Sequence, residues 1–136
     1  MRPRYLLDTN ICIYIRRRQP AEVLARFKKL QPGAAAISVI TYGELLFGAE
    51  KSAHCVAAIA RLEELTAFLP VLPLPQEAAN TYGAARAKLQ ARSEMIGNND
   101  LWIAAHAMAA ALTLVTNNEK EFKRIAGLKV QNWVRR

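Results

Sequence analysis

The sequence predicts an α/β fold, a single domain over residues 1–136 with a mainly parallel central sheet flanked by helices, and three observations carry that prediction. Short apolar runs at 4–8, 34–37 and 112–116 alternate with stretches of helical periodicity, the pattern of strand–helix–strand units. Polar residues able to cap a helix, Asn10 and Ser38, stand just after two of those runs. The chain is 52% hydrophobic and 22% charged and has no long polar or Pro/Gly/Ser-rich tract, as expected of one ordered core.

Taken in order, residues 4–8 read as a buried strand ending on Asp8, followed by a helix over 11–17 capped by Asn10. Pro20 opens a second helix, Pro32 and Gly33 mark a turn, and 34–37 form a second strand. Ser38 caps a helix over 39–51, and Ile59, Leu62 and Leu65 continue at helical spacing. Prolines at 70, 73 and 75 push the extended piece at 69–72 to a sheet edge. Ala78, Tyr82, Ala85 and Leu89 define a helix over 76–92, and 93–98 is a loop. Asn98 or Asn99 caps a helix over 100–111 that is apolar nearly all round and therefore enclosed. A strand at 112–116, a short helix at 119–125 and a last strand at 128–134 complete the chain.

The net charge of +8 favours a polyanionic partner, either nucleic acid or an acidic protein. Cys12 and Cys55 lie far apart outside any CxxC or Cys/His cluster, so both are expected as buried thiols and neither zinc nor a disulfide is expected. The longest apolar run, 101–115, is interrupted by His106 and Thr113 and is shorter than a bilayer span, so no membrane association is expected. No signal-peptide pattern precedes Asp8, and the expected location is cytoplasmic.

In a parallel α/β sheet the ligand site lies beyond the carboxyl ends of the strands. Asp8 ends the first strand there, and Asn117, Asn118 and Glu119 follow the strand at 112–116. Glu44 and Asp100 fall in early turns of helices able to face the same edge. Singly, each acid has an ordinary structural explanation: Asp8 as an alternative cap of the first helix, Asp100 as a helix-dipole partner and Glu44 as a helical surface acid. Together they place carboxylates against strongly apolar neighbours, where an ionised group needs a cation or hydrogen bonds. Magnesium fits such a set, because it takes oxygen ligands and stabilises charge on a phosphate under attack. No GK[ST] phosphate loop, GxSxG elbow or HExxH motif competes.

Four segments, LDTN at 7–10, SVITYGELLFGAEK at 38–51, GNNDLWIAAH at 97–106 and VTNNEKEF at 115–122, together resemble the VapC-type toxins of the PIN-domain family. The order and spacing match along almost the whole chain, down to the ending GLKVQNW at 127–133. The resemblance implies a PIN fold, a four-acid site for Mg2+ with Mn2+ as a substitute, and endoribonuclease activity on RNA. Substrates implied are structured RNAs such as tRNA, including initiator tRNA. It further implies restraint by a VapB-like antitoxin in a hetero-oligomer, with the antitoxin burying an apolar groove, and a homodimer. Position by position, Asp8, Glu44 and Asp100 match the first three acids. Glu121 is taken as the fourth, with Glu119 second, because Asn117 and Asn118 stand where many PIN domains carry an Asp. Asp8 and Asp100 are the expected direct ligands, and Thr9, Asn10 and Asn117 the supporting residues.

His106, among alanines, is read as a packed, hydrogen-bonded histidine rather than a base, and Trp102 and Trp133 as core. Arg16, Arg17, Arg18, Lys28, Lys29, Arg135 and Arg136 are candidates for guiding RNA. A phosphatase of the haloacid-dehalogenase type would need a second Asp where Asn10 stands. A non-catalytic basic nucleic-acid-binding module explains the charge and leaves the acids without a role.

Overall fold

The computed structural model describes residues 2–134, so Arg135 and Arg136 lie outside the described residues. The elements run β1 (Tyr5–Leu7), α1 (Thr9–Arg17), α2 (Ala21–Lys28), β2 (Ala35–Ser38), α3 (Val39–Glu50) and α4 (Cys55–Phe68), then β3 (Val71–Leu72), α5 (Glu77–Ala91), α6 (Asn98–Ala109), β4 (Thr113–Val115), α7 (Glu119–Phe122) and β5 (Val130–Gln131). The strands form one sheet in the order β3-β2-β1-β4-β5, and every pairing is parallel.

Because successive side chains of a strand face opposite sides, the central strands feed two cores. Leu7, Ile37 and Val115 enter one with Ile11, Ile15, Leu45 and Leu62, on the side of α1 to α4. Leu6 and Leu114 enter the other with Leu89, Leu101, Ile103 and Phe122, under α5, α6 and α7. The all-round apolar helix α6 buries Leu101 and the run from Ile103 to Ala107, as its composition predicts. Strand β3 lies at the sheet edge, where the prolines place it. Among the described residues no helix is long and apolar enough to cross a membrane.

The order places the topological switch at β1: the chain builds outward through β2 and β3 on one side and through β4 and β5 on the other. The register pairs Leu7 with Val115, so the next residues, Asp8 and Thr116, meet at the carboxyl edge of the sheet. Such a crevice is where open α/β sheets hold ligands.

Several local expectations are corrected. Asp8, not Asn10, caps α1: its extended backbone lets the carboxylate accept from Ile11 N at 3.0 Å, which starts the helix at Thr9 and leaves Asn10 exposed in the first turn. Helix α6 starts at Asn98 with Gly97 in the cap position, so neither Asn98 nor Asn99 serves as the cap. It ends at Ala109, because Ala111 turns into the left-handed region at φ 56°. The last helix is a single turn and the last strand two residues, since Gly127 at φ 84° separates them and only Val130 and Gln131 pair with β4. Cys12 is buried, whereas Cys55 opens α4 half-buried, and both thiols are free.

Ser38 caps α3 as expected, its Oγ accepting from Ile40 N at 3.1 Å. The same Oγ hydrogen-bonds His106 Nδ1 at 2.8 Å, with both residues fully enclosed, and burial holds the His106 pKa below its ordinary value. His106 thus joins α6 to the end of β2 as a neutral packing residue. Trp133 is core, while Trp102 is half-buried and stacked on Tyr82 with ring centroids 3.8 Å apart. Ser38→Ala removes the cap and leaves an enclosed imidazole nitrogen unsatisfied, so urea unfolding should show a loss of about 2 kcal/mol with an unchanged slope.

Candidate active site

Asp8 is the structural centre of the site. It follows β1 and is only 5% exposed. One carboxylate oxygen accepts from Ile11 N, and the other from the Thr116 hydroxyl at 2.5 Å. Thr116 is fixed in turn, because its oxygen accepts from Asn118 N at 2.9 Å. Backbone bonds brace the same edge, with Asp8 N donating to Val115 O and Thr116 N to Gln131 O.

Glu44 reaches the site from the second turn of α3, one turn beyond the Ser38 cap. Thr9 donates its hydroxyl to Glu44 Oε1 at 2.6 Å, and Asn99 Nδ2 approaches Oε2 at 3.5 Å. Those contacts tie α1, α3 and α6 together around one carboxylate. Asp100, in the first turn of α6, is half-buried and feels the charges of both Glu44 and Glu121. Glu121 comes from α7 and takes a hydrogen bond from Asn118 Nδ2 at 2.9 Å.

Electrostatics join the four acids. Burial pushes the Asp8 carboxyl up to about 6, against the lowering effect of its bonds to Thr116 and Ile11, and the charges of Asp100 and Glu44 push it further in the same direction. Asp100 is raised first by desolvation and then by Glu44 and Glu121. Among the described residues no Lys or Arg pairs with any of the four: the ion pairs are Arg92 with Glu94 and Lys123 with Glu119. Among the described residues the donors to Asp8, Glu44 and Glu121 are hydroxyl, amide and backbone groups.

The other expected residues separate. Glu119 takes Asn132 Nδ2 at 2.9 Å and Lys123 Nζ at 3.6 Å, which commits it to bracing the C-terminal strand. Asn117 accepts from Asn132 and lies 3.4 Å from the Tyr14 hydroxyl, stitching that loop to α1. Thr9 holds Glu44, whereas Asn10 is exposed and, among the described residues, bonds none of the acids. Sequence reasoning missed Thr116, Asn118 and Asn99 as partners of the carboxylates. A signal for Thr116 was present: like Ser38, it is a hydroxyl residue at the carboxyl end of an apolar run.

Among the described residues no three Asp, Glu, His or Cys side chains close around one point as a ready metal cage. The donor set nonetheless fits a divalent magnesium ion. All its donors are carboxylate oxygens, the charges lack a cationic partner among the described residues, and magnesium needs only one or two direct carboxylates because it keeps several waters.

A family model described as PIN domain matches residues 5–128. The chain is 42% identical to a Haemophilus influenzae protein named Ribonuclease VapC2, covering 96% of this chain and 98% of that one. It is 39% identical to a Shigella flexneri protein named tRNA(fMet)-specific endonuclease VapC, covering 96% and 98% respectively. Its fold matches a chain in the crystal structure of DNA-bound VapBC from Salmonella typhimurium with a TM-score of 0.90 at 37% identity, over 97% of this chain and 99% of that one.

The Asp8 shift has a thermodynamic sign. A carboxyl raised from 3.8 to about 6 favours the folded state below pH 3.8, and that contribution is lost as pH rises through 6. Asp8→Asn, which keeps an acceptor without the charge, should therefore stabilise the metal-free protein at pH 7.5 by about 2–3 kcal/mol and by almost nothing near pH 4. Urea titrations at the two pH values in EDTA measure the difference.

Proposed function

The chain belongs to the PIN-domain family, in its VapC group, and from that premise we propose that it is a metal-dependent endoribonuclease acting as the toxin of a toxin–antitoxin pair. The observation that carries the proposal is the coupled set Asp8, Glu44, Asp100 and Glu121 at the sheet switch point, which has no basic partner among the described residues. PIN-domain nucleases generally use divalent ions, and Mg2+, with Mn2+ as a substitute, is the ion proposed here. Relatives named Ribonuclease VapC2 and tRNA(fMet)-specific endonuclease support RNA as the substrate, with tRNA, including initiator tRNA, as the class.

In this reading Asp8 and Asp100 are direct ligands. When bound there, magnesium would neutralise charge on the scissile phosphate and lower the pKa of water. Glu44 and Glu121 orient the water that attacks phosphorus in line with the leaving oxygen. Thr9 and Asn118 keep those two carboxylates from swinging away, and Thr116 does the same for Asp8. A purely binding module explains the +8 charge but not the acids, which repel a phosphate backbone unless a cation stands between.

The proposed antitoxin partner is VapB-like. An apolar groove between α1, α2 and α4, with Leu24, Phe27, Leu65 and Phe68 in its lining and Arg16, Arg18 and Lys28 at its rim, suits an acidic, amphipathic segment. A homodimer is part of the same proposal.

Cleavage of total cellular RNA by antitoxin-free protein tests the function. Wild type with magnesium should give discrete fragments that excess EDTA abolishes, and Asp8→Asn should lower the rate roughly 100-fold or more. Intact RNA under every condition, from folded protein, would transfer the assignment to a binding module. In the same assay Glu121→Gln should cost at least about tenfold and Glu119→Gln less than about threefold; the reverse order would make Glu119 the fourth acid.

A further inference from the structure

Beside Glu44 an open groove runs between α1 and α3. Thr9, Glu44 and Asn99 line one part of it, Arg17 and Lys51 another, and Phe47 stands in it. Thr9, Ile13 and Arg17 recur every fourth residue on α1, so this wall follows about 12 Å of helix axis away from the acids. Phe47 is 66% exposed. Single exposed apolar side chains are common, and exposure alone would carry no argument.

The surroundings of Phe47 do. Gly43, one turn earlier on α3, and Gly48, next in sequence, carry no side chain, and a Cβ at either would meet nothing within 4 Å beyond its chain neighbours and its own helix, so the helix surface beside Phe47 is open. Lys51 Nζ sits 4.9 Å from the ring centroid. Among the described residues neither Lys51 nor Arg17 forms an ion pair. An exposed aromatic ring with one cation against it and a second in the same groove suits single-stranded nucleic acid, with stacking for the base and charge for the phosphates.

We propose that this groove seats the nucleotide beside the scissile phosphate, its base stacked on Phe47 and its phosphates held by Arg17 and Lys51. The inference rests on the ribonuclease reading, since continuity with the acids at Thr9, Glu44 and Asn99 is what aligns the strand. Continuity with the acids and local charge favour RNA as the occupant: the groove reaches Thr9, Glu44 and Asn99, and Arg17 and Lys51 in its lining attract a phosphodiester strand. Stacking accepts any base, so this contact contributes affinity and register and leaves sequence choice to other parts of the RNA.

The test uses full-length, antitoxin-free protein and a dye-labelled single-stranded oligoribonucleotide, unmodified or with one abasic position moved along the strand. Binding is read by anisotropy in EDTA and cleavage in magnesium, for wild type, Phe47→Ala, Phe47→Trp and Lys51→Ala. Val56→Ala, on an 82% exposed residue of α4 outside the groove, is the control. Phe47→Ala should raise Kd and KM about tenfold with kcat changed less than about threefold, and Phe47→Trp should behave as wild type. Lys51→Ala should weaken binding and flatten its salt dependence. Removing one base next to the cut should cost wild type about tenfold and Phe47→Ala nothing further.

Wild-type Kd and KM in Phe47→Ala, or an abasic loss equal in both proteins, would overturn the assignment. A changed native mass or lost antitoxin binding at unchanged RNA affinity would overturn it too, giving the face to a second copy or to the antitoxin. Phe47-dependent binding without metal-dependent cleavage would strike the ribonuclease reading and leave the stacking site standing. Neither binding nor cleavage by the wild type would remove both.

Discussion

The two oxygens of Asp8 hold the architecture of the site. One completes the first turn of α1 at Ile11 N, and the other takes the Thr116 hydroxyl at the end of β4, so a single side chain links the central strand, its helix and the neighbouring strand. The arrangement requires a buried carboxylate, and burial opposes its ionisation. Among the described residues, neutral donors keep the geometry and no basic side chain pairs with the charge. A site built this way is held in shape yet remains electrostatically short of a cation.

That shortage is local in a strongly basic molecule. Nineteen Lys and Arg residues face eleven Asp and Glu, yet among the described residues the ion pairs involve only Glu94 and Glu119, away from the coupled set. Lysine or arginine next to Asp8 or Asp100 would lower their pKa and occupy the oxygens a divalent ion needs. Placed along the grooves instead, as Arg17 and Lys51 are, the same side chains attract a polyanion without quenching the acidic centre.

Glu121 and Glu119 illustrate how nearby acids acquire different roles. They are two residues apart on one short turn, about 200° around a helix, so they project to different sides. Glu121 meets Asn118 and the charge of Asp100, and Glu119 meets Asn132 and Lys123. The acid at 119 braces the chain end, and the acid at 121 joins the electrostatic cluster. No spacing rule separates the two while the position of Asn132 is unknown.

Alternation of apolar runs and helical periodicity was enough to determine the layered parallel fold, the enclosure of α6, the edge position of β3 and the Ser38 cap, because each follows from local burial pattern or side-chain reach. The acidic residues near the carboxyl ends of strands were also legible, since strand direction in a parallel sheet dictates where they emerge. The resemblance to VapC toxins added the choice of four among them. The structure chose Asp8 over Asn10 as the cap of α1, and only the tertiary structure decided where α6 and β5 stop. It alone brought Thr116, Asn118 and Asn99 to the carboxylates and set Phe47 beside Glu44 on the open face of α3. The Thr9–Glu44, Asn99–Glu44 and Asp8–Thr116 contacts span 35, 55 and 108 positions and exist only once the strand order of the sheet has been chosen.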